Sequence, residues 1–123
     1  MTPCRIALWC ADGDQFAQLR GVLATLFRRE DAFNGRDADA YARLVSDRYA
    51  GGKDALLARL RGDLGGKLPA RIRVLGWQIR VERDRAQVGE DYEIRVGEEA
   101  PRQLRARFEL VREDDRWRVL SGL

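Results

Sequence analysis

The sequence predicts an α+β fold, in which three N-terminal helices pack on the concave face of a bent, four-stranded antiparallel sheet. Up to Leu64, apolar residues recur at steps of three and four, the spacing of amphipathic helices. From Ala70 onward, apolar and charged residues alternate, the spacing of strands that are buried on one face only. Such a sheet covers its apolar face with helices and leaves the other face in water.

The composition indicates a single folded domain and excludes several kinds of site. The chain has 123 residues, of which 45% are hydrophobic and 35% charged, and it contains no histidine. Without histidine, Ser-His-Asp and Cys-His catalytic arrangements and all His-containing metal sites are excluded. The net charge is only +3 and no basic block stands out, which argues against nucleic-acid binding. No apolar run reaches the roughly 18 residues of a membrane span, and we expect no metal or cofactor.

Residues 1–12 do not follow the helical pattern, and we expect them to form a tail that precedes a domain formed by residues 13–123. The short apolar run from Ile6 ends in Cys10 and resembles the end of a bacterial lipoprotein signal, in which the cysteine is lipidated. Trp9 and the shortness of the run depart from the pattern of such signals. The alternatives are a partly apolar tail on a cytoplasmic protein, or Cys10 as the lipid anchor of a periplasmic protein whose start lies upstream.

The first helix is predicted to run from Asp12 or Asp14, either of which can cap it, to Asn34, just before Gly35. Its apolar stripe comprises Phe16, Leu19, Leu23, Leu26 and Phe33. Position 30 belongs to the same series but is Glu30, which at about 100° per residue falls near the middle of the stripe. We therefore expect this carboxylate either to extend to solvent or to face a cavity.

Two shorter helices are predicted before the sheet. The second begins at Asp37 and ends at residues 46–47, and residues 48–50 form either a short fifth strand or an extended link. Gly51 and Gly52 break the chain before a third helix, from about Lys53 to Leu64. The apolar face of the third helix consists of leucines, namely Leu56, Leu57, Leu60 and Leu64.

Four strands follow, and the first of them carries a change of phase. Ile72 and Val74 alternate with arginines, whereas the apolar positions from Leu75 onward are shifted by one residue. This slip at residues 74–76 predicts a β-bulge, which bends the strand. Turns or loops at residues 83–85, 97–101 and 113–115 separate the strands.

The order of these elements resembles the nuclear transport factor 2-like superfamily, which includes SnoaL-like and ketosteroid-isomerase-like proteins. The resemblance covers about residues 14–123 and rests on the long first helix, the A-F-N-G-R-D-A-D-A-Y turn into the second helix, and Tyr49 before the third. It also rests on the long bent strands and the ending R-F-E-L-V-R-E-D-D-R-W-R-V-L-S-G-L. It implies a cone whose sheet and first helix enclose a pocket open at one end. Because the superfamily hosts isomerases, hydratases, cyclases and binding modules, the fold alone assigns no function.

Two acidic residues in apolar phases, Glu30 and Glu90, are the candidate catalytic groups. If the cone forms, both could face its interior, where burial of neighbouring carboxylates favours protonation of one of them and suits general acid and base chemistry. The candidate ligand pocket consists of Trp77, Tyr92, Tyr41, Tyr49 and Asn34. Apolar surface with a few hydrogen-bond donors is typical of small-molecule sites.

Each of these residues also has a purely structural interpretation. Glu30 could lie where the stripe leaves the core, or pair with an arginine, and a bulge at Gly89 would turn Glu90 outward. The tyrosines could be core residues with the hydroxyl at the rim. The arginines of the strands alternate with acids and predict a solvated, salt-bridged face.

The sequence therefore favours a binding or accessory domain over an enzyme, and its expected partner is an apolar or amphipathic small molecule or another protein. The alternative is an enzyme of the isomerase, dehydratase or cyclase type, in which Glu30 or Glu90 transfers a proton. The charged outer face of the sheet predicts a monomer or a polar, salt-sensitive homodimer.

Overall fold

The computed structural model describes residues 6–8, 13–65 and 70–123. Its elements, in chain order, are β1 (Ile6–Leu8), α1 (Gly13–Asn34), α2 (Ala38–Ala42), α3 (Lys53–Leu64), β2 (Ala70–Glu82), β3 (Arg85–Val96), β4 (Arg102–Glu113) and β5 (Arg116–Ser121). The predicted order of three helices followed by four long strands is confirmed. None of the described helices combines the length and the apolar character that crossing a membrane requires.

The strands form one sheet in the order β1-β2-β3-β4-β5. The four long strands are an antiparallel meander, as predicted, and the short β1 adds to β2 in parallel, with Ile6 opposite Trp77. The fifth strand therefore comes from the segment that we predicted to be a tail. Residues 48–50 are not a strand but a link with turns. This link still runs alongside β5, where Ala50 N donates a hydrogen bond to Leu120 O at 2.8 Å.

β2 carries the predicted β-bulge. Its register with β3 shifts between Val74, which lies opposite Tyr92, and Gly76, which lies opposite Asp91. The extra residue, Leu75, changes which face the following side chains occupy. As a result Trp77, Ile79 and Val81 are buried on the same side as Ile72 and Val74.

The buried face of α1 is shifted by about one residue, or roughly 100° around the helix axis, from the predicted apolar stripe. Its buried residues are Leu19, Val22, Thr25, Leu26, Arg29 and Ala32, whereas Phe16 is 55% exposed and Glu30 is only partly buried. The placement of Glu30 near the middle of the stripe is therefore wrong, and the buried charge on this helix is Arg29. The physical reason is that α1 packs against both β2 and β5, so that its inner face has two neighbours.

The contact of α1 with β5 depends on the small size of Gly21. A Cβ at this position would lie 2.6 Å from Cδ1 of Trp117, closer than the van der Waals radii allow. One turn further along, Thr25 Oγ1 lies 2.7 Å from Trp117 O and donates to it. Helix and strand are thus held by a close apolar contact and a hydrogen bond to the backbone. That the helices cover the concave side of the sheet stays a prediction.

α2 is capped by a side chain, and the link between α2 and α3 is bonded to the end of the chain. Asp37 caps α2, because its carboxylate accepts a hydrogen bond from Ala40 N at 3.0 Å, and α2 ends at Ala42, earlier than predicted. α3 has the predicted bounds, and its four leucines are buried. The hydroxyl of Tyr49, between α2 and α3, lies 2.9 Å from Leu123 O and 2.7 Å from Leu123 N. This contact fixes the end of the sheet against the helices.

Candidate functional site

Glu90 faces the interior of the protein. The ladder between β2 and β3 is regular here, with Gly89 opposite Gln78 and Glu90 opposite Trp77, so that the alternative of a bulge that turns Glu90 outward is wrong. Only 1% of its surface is exposed. An isolated carboxylate at such a position would carry a large desolvation cost, which requires a compensating partner.

That partner is Arg29. Its Nη1 atom lies 3.0 Å from both carboxylate oxygens of Glu90, and the Nε1 atom of Trp77 donates to Oε1 at 2.8 Å. Arg29 Nε donates to the hydroxyl of Tyr41 at 3.1 Å. The guanidinium carbon also lies 4.9 Å from the centre of the Phe108 ring. These residues form one buried polar cluster, which we call the Arg29–Glu90 cluster.

The environment of the cluster fixes its charges. Burial by itself lowers the pKa of Arg29, but the adjacent Tyr41 and Glu90 outweigh it, so that the pKa is raised and the guanidinium stays charged. Burial raises the pKa of Tyr41, and the positive charge of Arg29 only partly opposes this shift. At neutral pH the cluster therefore holds a charged guanidinium beside a neutral phenol. Within the described part of the chain, every fully buried side-chain nitrogen and oxygen has a hydrogen-bond partner.

Glu30 and Asn34 lie outside the Arg29–Glu90 cluster, and both form hydrogen bonds to the backbone of β2. Glu30 Oε2 accepts a hydrogen bond from Val74 N at 2.8 Å. Asn34 donates to Ile72 O and accepts from Ile72 N, each at 2.8 Å. Four residues of a helix rise about 6 Å, which nearly matches the spacing of two residues on a strand. The two side chains thus take the place of a neighbouring strand beside the bulge.

The predicted site residues therefore divide into separate groups. Glu90, Trp77 and Tyr41 belong to the Arg29–Glu90 cluster, Glu30 and Asn34 hold the edge of β2, and Tyr49 binds the backbone of Leu123. Tyr92 is partly buried on β3, opposite Val74 and Leu104. Whether Glu30 or Glu90 is catalytic stays a prediction. Cys10, the candidate lipidation residue, lies outside the described residues.

Arg29 was not among the predicted site residues, although the sequence contains a signal for it. Positions 19, 22, 26 and 29 also follow steps of three and four, and they are buried. A series that passes through Leu19 and Leu26 can continue to position 29 or 30, so the two are indistinguishable by period alone. Treating the charged residues at both positions as candidates would have found the partner of Glu90.

Two surface cavities lie elsewhere, and the more enclosed of them is a cleft beside α1. It has a volume of about 600 Å³ and lies between α1, α2 and the start of β5. Its floor is formed by small residues, and four arginines and three aspartates surround it: Arg28, Arg43, Arg116, Arg118, Asp31, Asp37 and Asp115. A second, shallower hollow of about 830 Å³ lies on the outer face of the sheet around Gly89 and Arg107. None of the predicted pocket residues lines either cavity.

The described residues hold no cluster of three or more acidic or cysteine side chains that could bind a metal ion. The cleft instead offers guanidinium and carboxylate groups beside apolar surface. Chemically, such an arrangement can bind a polar or charged group of a small molecule and shelter its apolar part.

Comparison with known proteins identifies the fold. No protein-family model and no curated protein matches the chain, whereas many solved structures do. A nuclear transport factor 2-like protein of unknown function from Pseudomonas putida KT2440 has a TM-score of 0.79 at 17% identity, covering 87% of this chain and 84% of that one. A protein from Novosphingobium aromaticivorans, provisionally named a scytalone dehydratase, has a TM-score of 0.75 at 16% identity, with coverages of 88% and 83%.

A third similar structure comes from Thiobacillus denitrificans and is provisionally named a calcium/calmodulin-dependent protein kinase type II association domain. Its TM-score is 0.68 at 23% identity, and the match covers 81% of this chain and 90% of that one. At such identities the likeness concerns the fold and not the activity. The chain has the nuclear transport factor 2-like fold, as its sequence predicted.

Proposed function

We propose that this protein is a non-catalytic binding domain that takes a small amphipathic molecule. The observation that carries the proposal is the engagement of Glu90, the one fully buried carboxylate among the described residues. Both of its oxygens accept hydrogen bonds from Arg29, and one also accepts from Trp77. A carboxylate that balances a buried guanidinium is poorly placed to accept a proton from a substrate, because protonation would leave Arg29 as an uncompensated buried charge.

The proposed binding place is the cleft between α1, α2 and β5. Its volume of about 600 Å³ lies within the usual range for small-molecule sites, roughly 300–1,000 Å³. Ala24, Ala40, Leu44 and Trp117 provide apolar surface, whereas the rim is charged. A molecule with an apolar body and a polar group would match both parts.

The alternative of an isomerase, dehydratase or cyclase draws on the provisional names of two structural neighbours, a scytalone dehydratase and a dehydratase from Streptomyces avermitilis. An enzyme of this type would need a carboxylate free to transfer a proton. Glu90 is engaged as described, and Glu30 accepts a backbone hydrogen bond from Val74. These contacts favour the binding domain over the enzyme.

The test is an NMR titration with benzyl alcohol, a neutral amphipathic probe. We expect shifts of the amide signals of Gly21, Ala24 and Leu44 around the cleft, and weaker binding by the cleft-filling variant Ala24→Leu. Gln87→Leu, which adds an apolar side chain at the outer hollow, is the control and should bind like the unaltered protein. Shifts that instead centre on Trp77 and Glu90, or no saturable shifts at all, would contradict the proposal.

A further inference from the structure

We propose that the cleft between α1, α2 and β5 selects organic anions, whose carboxylate or phosphate group is held by Arg28, Arg43 and Arg116. This inference rests on the proposed function and specifies the ligand class. It follows from the elements that bring the three arginines to one cleft, from the absence of acid partners for them among the described residues, and from the small residues that line the cleft beside them.

Three separate elements each place one arginine at the cleft. Arg28 lies on α1, Arg43 is the C-cap residue that follows α2, and Arg116 is the first residue of β5. Residues so far apart in the chain line one cleft because α2 and β5 both pack beside α1. Guanidinium groups present their N–H donors in a planar fork that matches the oxygens of carboxylate and phosphate.

These arginines are available for a ligand. Among the residues that the structure describes, none of the three has a carboxylate within ion-pairing distance, since the ion pairs of exposed arginines involve other positions. On the sheet, for example, Arg73 pairs with Glu93 at 2.8 Å and Arg105 with Asp91 at 2.7 Å. Arg28, Arg43 and Arg116 therefore have no acid partner among the described residues and can each donate to a ligand.

The aspartates of the cleft reduce its positive charge without cancelling it. The four arginines of the lining face three aspartates, and one of these, Asp37, already accepts the capping hydrogen bond from Ala40 N. Glu113, whose Oε1 lies 3.6 Å from Arg118 Nη1, is shared with Arg48 at 3.0 Å and so does not neutralise Arg118 by itself. The four arginines and three aspartates of the lining therefore leave an excess of one positive charge.

The floor of the cleft determines what accompanies the anionic group. One stripe of α1, at positions 21, 24, 28 and 31, lines the cleft together with Gly35, which follows the helix. Gly21 accommodates the Trp117 ring, and Ala24, Leu44 and Trp117 line the cleft with apolar atoms. A carboxylate or phosphate attached to a compact apolar body would contact both the arginines and this floor.

The experiment uses three probes of nearly equal size and different charge, namely benzoate, benzamide and benzylammonium, titrated by NMR into the folded protein. We expect benzoate to bind most tightly and its affinity to fall as salt is added. Inorganic phosphate, titrated in the same way, distinguishes a site for the oxyanion alone from one that needs the apolar body. Shifts should again appear at the amides of Gly21, Ala24 and Leu44.

Substitutions then identify the groups responsible. Arg28→Gln, Arg43→Gln and Arg116→Gln should each weaken benzoate binding by about three- to tenfold, the range expected for one charge-assisted hydrogen bond, and leave benzamide binding nearly unchanged. All three side chains are exposed, so the variants should fold. Arg95→Gln is the matched control, because Arg95 is an exposed arginine on β3 that does not line the cleft.

The outcomes separate this inference from the proposed function. If benzamide or benzylammonium binds in the cleft as tightly as benzoate, or if Arg95→Gln weakens benzoate as much as the cleft variants do, selection of anions is wrong while the binding function stands. If no probe shifts the cleft amides, both proposals fail. Binding of phosphate as tight as that of benzoate would overturn the assignment of an organic anion, because the apolar body would then add nothing.

Discussion

Arg29 Nη1 lies at the same distance, 3.0 Å, from both carboxylate oxygens of Glu90, although the two residues are 61 positions apart in the chain. The pair joins α1 to β3 through the interior. Desolvation of two charges is costly and is offset only when the geometry and the additional hydrogen bonds are good, and here Trp77 and Tyr41 provide those bonds. Removal of either partner should therefore cost far more than removal of an exposed pair.

Glu90→Gln is expected to lower the free energy of unfolding by about 3–5 kcal/mol, because it leaves a buried guanidinium without its counter-charge. Urea denaturation measures the change. The control is Glu93→Gln on the same strand, since Glu93 pairs with Arg73, whose side chain is 72% exposed, and such pairs contribute at most about 1 kcal/mol. The double variant Arg29→Met/Glu90→Gln should lose less than the sum of the two single variants. Equal losses for Glu90→Gln and Glu93→Gln would contradict a special role of the buried pair.

Two glycine substitutions in helices should act in opposite directions. Gly21→Ala places a Cβ 2.6 Å from Trp117, and we expect it to destabilise the protein by about 1–3 kcal/mol through overpacking. Gly62→Ala, in α3, meets no atom within 4 Å and should stabilise by up to about 1 kcal/mol, because alanine favours the helix. Thermal unfolding of both variants provides the comparison. A Gly21→Ala variant that is as stable as Gly62→Ala would show that Trp117 does not pack as described.

Hydrogen exchange can test the bonds that hold the edge of β2. Asn34→Ala removes the acceptor of Ile72 N, and Glu30→Ala removes the acceptor of Val74 N. We expect the first variant to accelerate exchange of the Ile72 amide and the second that of the Val74 amide, so each variant is the control for the other. Each should also cost about 1–3 kcal/mol, the range for a donor left unsatisfied. Equal acceleration of both amides in both variants would instead indicate general opening of α1.

Tyr41 should make the protein less stable in alkaline solution. Burial raises its pKa in the folded state above the ordinary value of about 10, so the folded protein retains the phenolic proton at pH values where the unfolded chain has lost it. The stabilisation is thus complete below pH ~10 and is lost as the pH rises through the folded pKa. Tyr41→Phe should flatten this decline in urea denaturation measured at increasing pH, whereas Tyr92→Phe should keep it. The prediction fails if the two variants follow the same curve.

Much of the fold is encoded in local patterns. The bulge at Val74 and Gly76 and the bounds of α3 follow from side-chain periodicity, because each depends on residues close together in the sequence. β1 was not predicted, since a strand of three residues forms only where β2 offers an edge. The inward position of Glu90 follows from alternation along β3, but the identity of its partner does not.

The rotation of α1 explains why the partner was missed. Series that continue to Arg29 or to Glu30 fit the helical period equally well, and the choice between them is made by β5, which follows α1 only at the far end of the chain. Thr25 and Gly21 contact Trp117 on that strand. A non-local contact of this kind leaves no trace in the spacing of apolar residues, whereas it decides which of two adjacent charges is buried.

The polar bonds of α1 also determine where along its axis the helix can lie. Thr25 bonds to β5, Arg29 to β3, and Glu30 and Asn34 to β2. Three strands are thus bonded to different positions along the same helix. An apolar interface tolerates considerable rearrangement, but a slide of one turn, about 5.4 Å, would break all four attachments at once. The helix therefore has a single register on the sheet. A ligand in the cleft would contact residues of α1 whose positions are fixed relative to β5.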